Sequence, residues 1–123
     1  MPAALAPVLD LVIVLVFSAT GRRNHGETGA LEGVLTTAWP FLVGACVGWA
    51  IVLVARRSLL AGKALTGGVV VWLSTIVVGM LLRQLSDQGT AISFVIVSLV
   101  FNGFFMLGWR APVAFLERRR AHA

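Results

Sequence analysis

The chain has no tyrosine, one cysteine and five acidic residues among its 123, and charged residues make up only 12% of it. Each shortage excludes something. A lone cysteine makes no intrachain disulfide, so Cys46, inside an apolar run, reads as a small packing residue. With so little charge beside 59% hydrophobic residues, the chain carries more apolar surface than one small water-soluble core can hide. The opening stretch MPAALAPVLD contains neither lysine nor arginine. It lacks the basic region that begins a secretory signal, so the first apolar run is expected to be retained as a helix. A serine nucleophile elbow, a phosphate-binding glycine loop, a dinucleotide fingerprint and a lipidation box are also missing.

What the chain does have is long hydrophobic runs. A membrane-spanning helix takes about 20 mainly apolar residues, and four such windows fit, at about 7–21, 35–55, 67–83 and 91–110, followed by a basic tail at 117–123. The expected fold is all-α: a polytopic membrane protein whose four transmembrane helices form a bundle, in a single domain over 1–123. Thr37-Ala38-Trp39-Pro40-Phe41 is echoed by Thr90-Ala91-Ile92-Ser93-Phe94, and Gly48-Trp49 by Gly108-Trp109. Two helical hairpins in parallel orientation would account for the echo, although the two spacings differ by seven residues.

The net charge of +5 comes from basic residues at the ends of the apolar runs, where they anchor helices and set topology. No basic stripe is interleaved with aromatics, so the expected partner is the lipid bilayer and not nucleic acid. With a cytoplasmic N-terminus, Arg56, Arg57, Lys63, Arg110, Arg118, Arg119 and Arg120 lie inside and Arg22, Arg23 and Arg83 outside. The balance favours both termini on the cytoplasmic side of a cell (inner) membrane.

Polar side chains within the runs are the candidate pathway or packing residues: Asp10, Thr75, Arg83, Ser98 and Asn102. With the first helix starting near Pro7, Asp10 falls in its first turn. There it is either a macrodipole partner or an intramembrane ionisable group that must be paired. Asp10, Val14, Ser18, Gly21 and His25 share one helical stripe. Arg83 either snorkels to the headgroups or pairs with Glu27, Glu32 or Asp87. Asn102 lies near mid-membrane, and its amide is expected to bond to Ser98, Ser74 or Thr75; a polar spot for a small solute is the alternative. Gly44 and Gly48 form a small-xxx-small pair suited to helix contact, within the chain or between copies.

The first loop gathers Arg22, Arg23, His25, Glu27 and Glu32. His25 and Glu27 supply at most two metal ligands where a catalytic zinc takes three, so no metal and no cofactor is expected and no catalytic residue is assigned. Passage of a small solute or ion by a self-associating helix bundle is the leading expectation. The alternatives are an accessory or assembly subunit of another membrane protein, and a membrane enzyme using the His25/Glu27/Glu32 loop.

Several features recur in order at helix ends: Asp10, Gly21-Arg22-Arg23 followed by His25 and Glu27, Ala38-Trp39-Pro40-Phe41, Arg83, Ala91 to Phe94, and Gly108-Trp109-Arg110. Over nearly the whole chain they resemble the small prokaryotic membrane family known as domain of unknown function 3054. The resemblance implies four membrane helices in a bacterial or archaeal cell membrane, with no activity, cofactor or catalytic residue to carry over.

Overall fold

A computed structural model describes residues 3–22, 30–57, 63–86 and 92–121. These residues form four α-helices: α1 (Leu5–Arg22), α2 (Ala30–Arg56), α3 (Leu65–Leu85) and α4 (Ile92–Ala121). No strand occurs among the described residues. Helices α2, α3 and α4 are long and apolar enough to cross a membrane, whereas α1 is a shorter apolar helix.

The helices extend beyond the windows expected from hydropathy. The window at about 35–55 puts Pro40 near the start of the second helix; α2 begins at Ala30, so Pro40 lies well inside it, fully buried. Helix α4 does not stop near Arg110 but continues through Pro112 to Ala121, so most of the presumed tail is helical. A proline within a helix removes one backbone hydrogen bond, and the remaining ladder of this long segment continues past it. At the end of α2, Arg57 turns into the left-handed region (φ 53°) and its N–H closes on the Leu53 carbonyl at 2.7 Å, a helix-ending geometry more often supplied by glycine.

Each helix packs on its neighbours in sequence, and α1 closes back onto α4. The contacts run antiparallel. On α2 and α3, a Cβ at Gly44 would meet the Thr75 backbone at 2.8 Å and one at Gly48 would meet the Val71 Cα at 2.7 Å. The two glycines are therefore used inside the chain, letting backbone approach backbone, and Ser74 Oγ crosses there to donate to the Gly44 carbonyl at 2.8 Å. Between α3 and α4, a Cβ on Gly103 would strike the Trp72 ring, whose indole N–H donates to the Leu99 carbonyl at 2.9 Å.

The core is largely aromatic toward one end. Phe17 of α1 contacts Phe41, Phe94 and Phe101 at centroid separations of 5.5, 5.8 and 5.4 Å, and Phe41 meets Phe94 at 5.9 Å. A missing Cβ at Gly79 makes room for the Phe41 ring.

Candidate functional site

At the opposite end of the core, α1 carries Asp10 on the stripe Ala6, Asp10, Val14 and Ser18, all fully buried. The helix starts at Leu5 and has no acidic residue in its first turn. Asp10 therefore lies in the second turn and not the first, and its charge is answered by a side chain rather than by the helix N-terminus.

That side chain is Arg110. It sits on the inward stripe Ser98, Asn102, Met106 and Arg110 of α4 and is itself fully buried. Its guanidinium grips the carboxylate in a two-pronged fork, Nη1 donating to Oδ1 at 2.9 Å and Nη2 to Oδ2. Two indoles complete the shell: Trp49 Nε1 of α2 donates to Oδ2 at 2.9 Å and Trp109 Nε1 of α4 to Oδ1 at 3.1 Å. Arg110 Nη1 also donates to the Met106 carbonyl at 2.9 Å, and the guanidinium lies 4.5 Å from the Trp109 ring centroid. Helix α3 contributes an absence, because a Cβ on Gly68 would come within 2.8 Å of Arg110 Nε.

Four donors fill the lone-pair directions of a carboxylate. The Asp10 carboxylate therefore has no acceptor direction left for a further ligand unless one of these bonds is broken. Charge-assisted, two-pronged pairing is the strong form of such contacts, and it is what a buried ion needs to offset its lost hydration. Chemically the site is a lock that ties α1, α2 and α4 together.

Midway along α4 the situation differs. Asn102 is fully buried, about 12 Å along the helix from Arg110. The expected interhelical bond is not formed: its Nδ2 donates to the Ser98 carbonyl of its own helix at 2.9 Å. The amide atom facing a carbonyl must be the donor, which fixes the amide orientation and leaves Oδ1 buried with no partner among the described residues. The neighbouring hydroxyls are likewise engaged within their own helices, Ser18 to Val14, Thr75 to Val71 and Ser98 to Phe94.

Arg83, half-buried near the end of α3, lies 4.2 Å from the Phe94 ring centroid. Of the loop cluster, Arg23, His25 and Glu27 lie outside the described residues, as does Asp87. Arg22 ends α1 and Glu32 sits in the first turn of α2, their side chains outside the described set.

Sequence reasoning missed three members of this site. Arg110 was read as a topology charge, and Trp49 and Trp109 only as parts of the internal echo. The signal was present: Ser98, Asn102, Met106 and Arg110 recur every fourth residue, which puts arginine on the polar, inward stripe. The internal echo also has a better register. Phe41 and Trp49 are eight residues apart, as are Phe101 and Trp109. Each pair puts a ring on Phe17 and an indole N–H on Asp10.

A family model described as protein of unknown function (DUF3054) matches residues 7–113, a stretch that holds the lock and the orphaned amide together. No curated protein and no solved structure matches the chain. The chain belongs to the family of domain of unknown function 3054.

Proposed function

We propose that this chain is an integral membrane protein of four crossings, a single-domain bundle with both termini cytoplasmic, that passes a small solute or ion across the bilayer. Helices α2, α3 and α4 meet the length and hydropathy a membrane demands, and the 18 residues of α1 extend about 27 Å, close to a hydrocarbon core of about 30 Å. The end of the molecule holding the lock carries Arg56, Arg57, Lys63, Arg118 and Arg119, against Arg22 and Arg83 at the other. That asymmetry supports a cytoplasmic lock end.

The observation that carries the passage reading is the Asn102 Oδ1 acceptor, buried between two seals and unpaired among the described residues. Toward the cytoplasmic end lies the Asp10–Arg110 lock, and toward the other end the Phe17, Phe41, Phe94 and Phe101 rings. An unmet buried acceptor costs about 1–3 kcal/mol, which a cation or a solute bearing N–H or O–H would recover. The arrangement fits an occluded resting state, in which either seal must open for the solute to move. Self-association would have to use an outer helix face, since Gly44 and Gly48 are occupied by α3. The remaining alternatives are an accessory subunit and a loop enzyme built on His25, Glu27 and Glu32.

The test is flux through proteoliposomes carrying the full chain, read by swelling for urea and glycerol and by dye for ammonium, sodium and potassium. At least one is expected to move faster than through protein-free vesicles, and Asn102→Leu to abolish the difference. Rates matching empty vesicles for every probe would overturn passage and leave the accessory role and the loop enzyme.

A further inference from the structure

A groove of about 210 Å³ opens on one side between the last turns of α2 and the first of α3, lined by Ile51, Val52, Ala55, Arg56, Ala64, Thr66, Gly67 and Val70. Its body is apolar and its mouth is basic. Arg56 is exposed there, with no ion pair among the described residues. The nearby acids are already committed: Glu117 is held by Lys63 at 2.6 Å and Asp10 by Arg110. Arg57, Arg118 and Arg119 add positive charge at the same end. Helix α3 also begins in the groove wall, where Ala64 gives it no side-chain cap.

We propose that this groove holds an anionic phospholipid, its phosphate on Arg56 and the upper part of one acyl chain along Ile51, Val52, Ala55 and Val70. The proposal rests on the membrane placement but not on solute passage. Charge complementarity selects the occupant, since a basic pocket between helix ends on the cytoplasmic side is where anionic headgroups are drawn. Size restricts what enters: the groove is smaller than the roughly 300–1,000 Å³ of a pocket enclosing a whole small ligand, so it takes one segment of a lipid whose remainder stays in the bilayer.

The test is native mass spectrometry of the full chain released from nanodiscs of equal phosphatidylglycerol and phosphatidylcholine. Retained phosphatidylglycerol is expected to exceed phosphatidylcholine, and Arg56→Gln to weaken its retention about fivefold, the scale of one interfacial arginine. Val70→Trp, which fills the apolar body, should also weaken it, whereas Arg118→Gln, removing the same charge outside the groove, should not. Equal retention of the two lipids, or equal loss from Arg56→Gln and Arg118→Gln, would overturn the site in favour of diffuse surface charge. Binding of glycerol phosphate as tight as that of the lipid would overturn the acyl contact. Failure of the chain to float with vesicles of either lipid would overturn the membrane placement itself, and would leave a pattern distinct from loss of lipid preference.

Discussion

Asp10 and Asn102 are both fully buried polar residues on inward-facing helix stripes, yet they are provided for in opposite ways. Around Asp10 every acceptor direction is met, from two other helices, by Arg110, Trp49 and Trp109. Around Asn102 one bond is made, to its own helix, and Oδ1 is left without a partner among the described residues. The first arrangement joins helices; the second joins nothing. Burial alone therefore does not tell the two residues apart; the satisfaction of their hydrogen bonds does, and the proposed passage rests on the unmet one.

The largest expected effect is at the lock. Asp10→Ala leaves Arg110 buried without its counter-charge, and unfolding of the detergent-solubilised protein should show a loss of about 3–5 kcal/mol. Next is Trp49→Phe, which keeps an aromatic ring and deletes one bond to a charged acceptor, worth about 1.5–3 kcal/mol; the same change at the half-buried Trp109 should cost less. Gly44→Val puts a side chain against the Thr75 backbone, and forcing α2 and α3 apart should cost about 1–3 kcal/mol by the same measurement. The smallest effect is expected at Asn102→Leu, which removes an acceptor left unmet among the described residues, so stability should stay level or rise. A loss at Asn102 as large as at Asp10 would erase the contrast between the two sites and show that the amide has a structural partner.

Much of the fold was legible because hydropathy reports helices directly. Four apolar windows became four helices, and Asp10, Val14 and Ser18 face inward as their spacing required. The helix ends were harder to read. Pro40 and Pro112 look like boundaries, but a long helix tolerates the loss of one backbone bond, so α2 begins earlier and α4 ends later than the prolines indicate. The lock was half legible. Asp10 announced a need for a partner, but its partner is 100 residues away, and basic residues flanking a hydrophobic run are ordinarily topology signals. Only the four-residue repeat through Ser98, Asn102 and Met106 distinguishes Arg110 from Arg118 and Arg119. Asn102 was recognised as a buried amide in search of a bond; that the bond stays within α4 depends on rotamer and packing, which spacing does not encode.

A double-mutant cycle on Asp10→Ala and Arg110→Ala, read by unfolding in the same detergent, tests most directly whether this pair holds α1 to α4. Strong coupling is expected, with the double variant losing far less than the sum of the two single losses, because each single change strands a charge and the double change strands none. Additive losses, with a coupling energy near zero, would contradict the lock.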